Sequence, residues 1–273
     1  MLNQVEIRTS QGGLLTLSLY DDSSGIIVQN IDGLDPVKAT LVSSSFAQQD
    51  GTQYQSSRRE SRNLKFTLGL EPDYTVDTVR GLRDRIYGFF MPKMPVELTF
   101  IRDDGLSVVI NGRVESLETP MFTDAPAVDV SIMCFDPDFI DPDGVHISGA
   151  STAGSTPIDV TYNGSVETGI QFKLFVNRSM SAFTIYHQAS DGSMRTLDFV
   201  GSLSAGDVVT INTVSGSKYA KLTRGGVDSS VLYGVSPHAS WIELLPGTNH
   251  IRVYATGAGV PFTIDYISRY GGL

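Results

Sequence analysis

The sequence predicts a mainly β protein whose first part also contains one helix, and three observations lead to this fold class. Apolar and polar residues alternate with a period of two in several short runs, at residues 15–19, 64–68, 128–132 and 251–254. This alternation is typical of strands with one buried and one solvated face. Five Asp-Gly and two Asn-Gly pairs lie between such runs, and these pairs favour the positive φ angles of tight hairpin turns. A single segment with helical periodicity, at residues 75–91, makes the first part α+β.

The helix is predicted from apolar residues that recur every three to four positions, with charged residues between them. The apolar residues are Val76, Val79, Leu82, Ile86, Phe89 and Phe90. Thr75 or Asp73 is expected to cap the start of the helix, and Pro92 to end it.

Residues 96–118 predict three strands in a meander. The runs ELTFIR, LSVVI and RVESLE are separated by Asp103-Asp104-Gly105 and by Asn111-Gly112. We expect a tight turn at each of these two separations.

A linker is predicted near residue 143, which divides the chain into domains at residues 1–143 and 144–273. Two Asp-Pro pairs stand in the run from Phe135 to Gly144, and a small polar stretch follows. Proline disfavours both helix and ladder bonding there. Residues 1–143 hold 12 basic and 22 acidic side chains, whereas residues 144–273 hold eight of each. The first domain therefore carries the whole net charge of −10.

This acidic balance argues against specific nucleic-acid binding, because a nucleic-acid groove needs clustered positive charge. Cys134 is the only cysteine and cannot form an intrachain disulfide. The first ten residues lack the features of a signal peptide, so synthesis and folding in a reducing cytoplasm are expected. No run approaches the length of about 20 apolar residues that a transmembrane helix requires.

Motifs for catalysis, cofactors and metals give no candidate residues. Phosphate-loop and nucleophile-elbow sequences are missing, and the four histidines do not have the spacing of metal ligands. The carboxylates Asp136, Asp138, Asp141 and Asp143 raise the question of a calcium site, but their spacing is not that of an EF-hand. We interpret the run as an acidic, proline-stiffened linker and leave a bound cation as the alternative.

One basic cluster in the acidic domain is a candidate interface for a neighbouring subunit. Arg58, Arg59 and Arg62 follow a polar stretch that includes Gln48 and Gln49. Arginine is favoured at protein interfaces, and the surrounding charge is of opposite sign. We expect residues 48–62 to form an arm that is flexible in the free subunit and orders against a neighbouring subunit; a solvated strand end is the alternative.

Trp241 is the only tryptophan and allows two interpretations. It lies in the alternating run WIELL at residues 241–245, before the pair Pro246-Gly247. A core or edge position is favoured, because aromatic side chains bury large areas. A stacking platform for sugars is the alternative.

The order of these features resembles the siphovirus-type tail component family, the distal tail proteins of long-tailed bacteriophages. The resemblance rests on the arginine-rich entry to residues 64–70, LRDRI at 82–86, YNG at 162–164, LSAGD at 203–207 and WIELLPGTN at 241–249. It covers nearly the whole chain, and the last of these motifs is the most specific.

The resemblance implies a non-enzymatic structural protein of the virion tail tip, without a cofactor. The first domain would be a tail-tube-like antiparallel β barrel or sandwich with one packed helix that closes into a hexameric ring. The second would be a peripheral β-sandwich. The implied partners are further copies of the chain, the tail tube, the hub and tape-measure proteins, and fibre or receptor-binding proteins.

Other functions remain as alternatives: a different tube-like baseplate protein, a carbohydrate-binding module, or a cell-wall hydrolase with a carboxylate pair. If the first domain lines a conduit, its carboxylates would face passing DNA and repel the phosphates.

Overall fold

The computed structural model describes residues 1–47, 50–120 and 124–273 and divides the chain into two compact units. Unit 1 comprises Met1–Pro142 together with Gly271–Leu273, and unit 2 comprises Asp143–Tyr270. The first crossing lies within one residue of the expected boundary. The return of the last three residues to unit 1 was not expected from the sequence.

Unit 1 consists of short antiparallel strands and one helix. In its described residues these elements are β1 Leu2–Thr9, β2 Leu14–Ser18, β3 Ile26–Asp32, β4 Ala39–Ser44, β5 Gln53–Arg59, β6 Arg62–Leu70, α1 Val79–Phe90, β7 Pro95–Arg102, β8 Ser107–Glu118, β9 Ala127–Cys134 and β10 Phe139–Ile140.

The main sheet of unit 1 has the strand order β2-β1-β7-β8-β9-β6-β3, and β10 adds to β8. Its edge strands β2 and β3 lie close to each other, so the sheet curls towards a barrel. Buried residues alternate with less buried ones along β2, β7, β9 and the first part of β8, as the alternation predicts. The interior includes Val5, Ile7, Leu64, Phe66, Leu98, Phe100, Val130 and Ile132.

Helix α1 packs on β1 and β6 through Leu82, Ile86 and Phe90. The predicted caps are wrong: the helix starts at Val79, and the Thr78 hydroxyl accepts from the Gly81 amide at 3.1 Å. The Asp73 carboxylate instead accepts from both the amide and the hydroxyl of Thr75 within a preceding turn. The helix ends at Phe90, in agreement with the expected effect of Pro92.

The expected meander contains one turn rather than two. Gly105 has a φ of 87° in the turn between β7 and β8, as predicted. Strand β8, however, runs straight through Asn111 and Gly112. A Cβ atom at Gly112 would lie 2.5 Å from Cγ2 of Ile132. This glycine therefore allows close packing of the strand and does not form a turn.

Unit 2 is built from two larger sheets and several short strands. Its described strands are β11 Val145–Ala150, β12 Ile158–Tyr162, β13 Thr168–Gly169, β14 Gln171–Phe175, β15 Met180–Gln188, β16 Met194–Leu203, β17 Val208–Asn212, β18 Tyr219–Arg224, β19 Val227–Ser230, β20 Glu243–Leu244, β21 Gly247–Ala255, β22 Pro261–Tyr266 and β23 Arg269–Tyr270, with a 3-10 helix at Leu232–Gly234.

The two larger sheets of unit 2 have the orders β11-β22-β14-β17-β18-β19 and β12-β21-β15-β16. Side chains from both sheets form one core. Phe172 on the first sheet packs against Phe183 on the second, with ring centroids 5.9 Å apart, and Phe183 stacks on Phe199 at 5.0 Å. Unit 2 is thus a β-sandwich, and the predicted mainly β fold class is confirmed.

Candidate subunit interface

A β-hairpin formed by β4 and β5 contains the arginine cluster that the sequence singled out. The two strands pair only with each other, from Ala39 opposite Arg59 to Ser44 opposite Gln53. Polar side chains support the pairing: the Tyr54 hydroxyl bonds to that of Ser57 at 2.8 Å, and the Gln55 amide donates to the Ser44 hydroxyl at 2.8 Å. The hairpin is therefore held by its ladder and by polar side chains.

The hairpin is almost fully exposed. The structure describes every residue of its two strands, and none of them is buried. Four apolar side chains on the strands and the adjoining turn are exposed by 49 to 68%: Leu41, Val42, Phe46 and Tyr54. An isolated two-stranded hairpin is marginally stable in water. Exposed apolar groups on such a hairpin are typical of a surface that another chain covers.

The root of the hairpin is anchored firmly. The Arg59 guanidinium donates to the Asp138 carboxylate at 2.8 Å, and only 2% of the Asp138 side chain is exposed. The Thr40 hydroxyl donates to the Glu60 carboxylate at 2.5 Å, and the Glu60 amide to the Lys38 carbonyl at 3.0 Å. The Arg59–Asp138 ion pair joins the hairpin to the linker of unit 1, and the two Glu60 contacts join the two sides of the hairpin at its root.

Arg62 lies in a different environment from the one expected. Its side chain is 1% exposed and donates to the backbone carbonyls of Gly33, Asp35, Pro137 and Gly271. Because its donors are used within the chain, Arg62 stabilises the subunit and does not offer hydrogen bonds to a neighbour. The expectation that Arg62 belongs to the subunit interface is therefore corrected: Arg62 is a buried residue of unit 1.

The other predicted interface residues have different positions. Arg58 is exposed on β5, opposite Thr40, and can reach a partner. Arg59 is partly exposed but already bonded to Asp138. Gln48 and Gln49 lie outside the described residues.

The four exposed apolar side chains of the hairpin could not be recognised from the sequence. Leu41 and Val42 lie in a run with β propensity, which by itself predicts an ordinary half-buried strand. Only the absence of any packing against the hairpin distinguishes these residues. That information is tertiary and has no local signal.

Burial shapes the electrostatics next to the root. It lowers the pKa of the Arg62 guanidinium, while Cys134, Asp138 and Asp35 act in the opposite direction. Burial also raises the pKa of the Cys134 thiol to about 12. A thiol with such a pKa stays protonated at neutral pH and is a poor nucleophile.

The acidic linker uses two of its carboxylates structurally: the Asp138 carboxylate accepts from the Arg59 guanidinium, and the Asp136 carboxylate accepts from the Asp138 amide at 3.3 Å. Among the described residues, no group of His, Cys, Asp or Glu has an arrangement that could hold a metal ion. A cleft of about 530 Å³ in unit 2 is lined by residues 179–181 and 200–204, which contain no titratable side chain. The lining has serine hydroxyl groups but no carboxylate, imidazole or amine that could act as an acid or base beside them.

The WIELLPGTN motif forms a turn that is exposed at residues 246–248 and is held by a buried asparagine side chain. The Asn249 side chain is fully buried; its amide donates to the carbonyls of Leu245 and Gly247, and its oxygen accepts from the Leu245 amide. Trp241 packs against the core of unit 2, and the Lys218 ammonium lies 5.6 Å from its ring centroid. This packing agrees with a core or edge position for Trp241 and gives no support to a sugar platform.

The described residues contain no helix with the length and apolar character needed to cross a bilayer. Strands form most of the two units, and the one α-helix has 12 residues, of which several are charged.

A solved structure is similar in fold over nearly the whole chain. The Dit protein of phage SPP1, described as a paradigm of the hub adsorption apparatus in phages that infect Gram-positive bacteria, shares 16% identity. The likeness covers 97% of this chain and 98% of that chain, with a TM-score of 0.64. A second likeness, to the baseplate of phage P2 in its activated conformation with calcium, has 10% identity over 97% of this chain and 98% of that chain. Its TM-score of 0.43 is too low to support an argument. No curated protein matches the sequence.

Two family models match successive parts of the chain. Residues 15–121 match the phage tail protein RIFT-related domain, and residues 163–270 match the C-terminal domain of the siphovirus-type tail component. Together the two ranges take in most of the chain, and they fall in unit 1 and unit 2 respectively. With this order of domains and the shared fold, the chain belongs to the siphovirus-type distal tail proteins, which are structural components of the phage tail tip.

Proposed function

We propose that this protein forms a ring of six copies at the tail tip, in which each copy covers the β4–β5 hairpin of its neighbour. The observation that carries the proposal is the exposed hairpin on its anchored root. Its apolar side chains are 49 to 68% exposed, and Arg59 joins its root to Asp138. A projecting element that binds a different surface of the next copy makes a head-to-tail contact, and such contacts generate rings when the rotation closes.

The division of charge supports different roles for the two units. Unit 1 would form the ring, and its excess of carboxylates would line a conduit through which DNA passes without adhering. Asp129, Glu115 and Glu118 are exposed on β8 and β9 and are available for such a lining. A ring whose inner surface is uncharged or basic would contradict this part of the proposal.

The nearly neutral unit 2 would be a peripheral platform. Its fold is closed over a continuous core, so its outer surface is free to contact other tail proteins. We assign the tail tube and the hub or tape-measure proteins as neighbours of the ring, and fibre or receptor-binding proteins as partners at its periphery. Synthesis in the host cytoplasm and incorporation into the virion tail tip complete the proposal.

The experiment that tests the ring is native mass measurement of the purified full-length protein, followed by electron microscopy of the assembly. We expect a species of six times the 29.5 kDa subunit mass with a central hole. A protein that stays monomeric at high concentration, both alone and with the tail tube protein, would contradict the proposal.

A further inference from the structure

Arg62 joins three segments that are far apart in the sequence. Its Nε donates to the Pro137 carbonyl at 2.7 Å, one terminal nitrogen donates to the carbonyls of Gly33 and Asp35, and the other donates to the Gly271 carbonyl at 2.5 Å. The guanidinium also lies 4.4 Å from the centroid of the Phe139 ring. A buried cation is thus surrounded by carbonyl dipoles and one aromatic face.

The three segments have distinct places in the chain. Residues 33–35 lead into the hairpin through β4, and Arg62 itself follows the hairpin at the start of β6. Pro137 lies shortly before the chain leaves unit 1, and Gly271 is the first residue after it returns. Arg62 therefore bonds both ends of the hairpin to the two places where the chain crosses between units.

Neighbouring contacts strengthen the same connection. Arg59, the last residue of β5, pairs with Asp138, which follows the Pro137 acceptor. The Leu273 amide donates to the Leu34 carbonyl at 3.1 Å, next to the other acceptors. A Cβ atom at Gly272 would lie 2.8 Å from Cδ of Pro36, so the returning segment packs tightly against the entry to β4.

Only arginine has the geometry for this arrangement. Its planar guanidinium presents five donors in a fixed fork, whereas a lysine ammonium is a compact charge that cannot reach carbonyls on several sides at once. Replacement by lysine would keep the charge and leave some of these carbonyls without a donor.

We infer that Arg62 is a positioning residue for ring assembly, which fixes the direction of the β4–β5 hairpin by bonding its root to the linker and to the returning segment Gly271–Leu273. This inference rests on the proposed function, because it assumes that the hairpin contacts a neighbouring copy. A hairpin whose root is ordered before binding loses less conformational entropy on assembly, which favours association.

The test compares Arg62→Lys and Arg62→Met with the wild-type protein by hydrogen–deuterium exchange of the dilute subunit and by the concentration at which the oligomer dissociates. Arg178→Lys is the matched control, since Arg178 also donates to two backbone carbonyls, those of Thr256 and Ala258 in unit 2. Strand β7 of the barrel serves as the internal reference for exchange.

In the Arg62 variants, we expect the amides of Glu60 and Leu273, which donate to the Lys38 and Leu34 carbonyls at the root, to exchange at least about tenfold faster, the factor that corresponds to loss of one charge-assisted hydrogen bond. Exchange in β7 should not change. The oligomer should dissociate at a concentration at least about tenfold higher, whereas Arg178→Lys should leave both readouts at the wild-type values.

Two results would overturn the inference: unchanged exchange at the root, or faster exchange there with unchanged oligomer dissociation. If an Arg62 variant fails to fold, Asp138→Asn weakens the neighbouring contact with Arg59 and is judged by the same two readouts. A wild-type protein that never assembles would overturn the proposed ring, and with it the assembly role of Arg62, while the exchange data would still report whether Arg62 orders the root.

Discussion

Loss of two apolar side chains from the β4–β5 hairpin should weaken self-association strongly. The variant Leu41→Ser with Phe46→Ser removes apolar surface that is exposed in the subunit by 68% and 55% of each residue. If a neighbouring copy covers both side chains, the apolar surface that the variant no longer buries equals that of about 1.2 fully buried side chains. At about 2 kcal/mol for each fully buried side chain, the loss is about 2.5 kcal/mol per contact.

This free energy corresponds to an increase in the dissociation constant of each contact by roughly 70-fold. Sedimentation velocity over a concentration series measures the shift. The variant Val227→Ser with Leu232→Ser is the matched control, because these residues expose 70% and 47% of their surface in unit 2. We expect the control to associate like the wild-type protein.

The same experiment can contradict the prediction that a neighbouring copy covers the hairpin. The subunit should remain folded in the hairpin variant, because neither residue is buried there, and its circular dichroism spectrum and melting temperature should stay close to wild type. If the hairpin variant associates as tightly as the wild-type protein, the hairpin is not covered in the assembly. Equal weakening by the control variant would show a nonspecific effect of surface polarity.

Three further predictions concern the subunit itself. His187 is fully buried, its Nδ1 atom has no hydrogen-bond partner, and its pKa is lowered mainly by this burial. Below a pH of about 6.5, the unfolded protein binds a proton at this residue more readily than the folded protein does. The free energy of unfolding should therefore fall as the pH drops from about 6.5 towards the lower pKa of the folded state. Urea unfolding at pH 7.5 and pH 5 should show a smaller decrease in the free energy of unfolding for His187→Gln than for the wild-type protein. Gly88→Ala should raise the free energy of unfolding by about 0.5–1 kcal/mol, because Gly88 is an exposed helical residue with open space at its Cβ position. Gly112→Ala should lower it, because the added carbon would lie 2.5 Å from a methyl group of β9; a change in the opposite direction at either glycine would contradict the packing described. Cys134, with a thiol pKa of about 12, should not react with an aromatic disulfide reagent at pH 8 until the protein is unfolded, and rapid reaction of the native protein would show that the thiol is accessible.

The parts of the fold that depend on local pattern could be predicted from the sequence. Alternation placed β2, β6, β9 and β21, and the Asp104-Gly105 pair placed a hairpin turn. The end of α1 followed from Pro92, because proline restricts the residue before it. Its start could not be chosen among Asp73, Thr75 and Thr78, since each of these residue types can cap a helix.

Features that depend on distant residues could not be predicted. Gly112 looked like a turn residue because its packing partner, Ile132, lies 20 positions further along the chain. Arg62 looked like part of an exposed basic cluster because its acceptor carbonyls come from other segments. In both cases the residue type was informative, but its use depended on tertiary contacts.

The segment that the sequence singled out overlaps the hairpin that we propose as the interface, but it was chosen for an incomplete reason. Arginines drew attention to residues 48–62, yet the hairpin includes residues from 39 onwards, and its apolar side chains are the more informative feature. Charge patterns are visible in the sequence, whereas an uncovered apolar surface is visible only in the folded subunit. The neighbour that would cover it lies on another chain and has no signal within this hairpin.

Whether the β4–β5 hairpin forms the contact between copies can be seen by electron microscopy of the full-length protein in its assembled form. We expect a six-membered ring in which the β4–β5 hairpin of every copy lies against the next copy, with Leu41 and Phe46 inside the contact. A ring in which the hairpins extend freely into solvent, or an assembly with a different contact between copies, would contradict it.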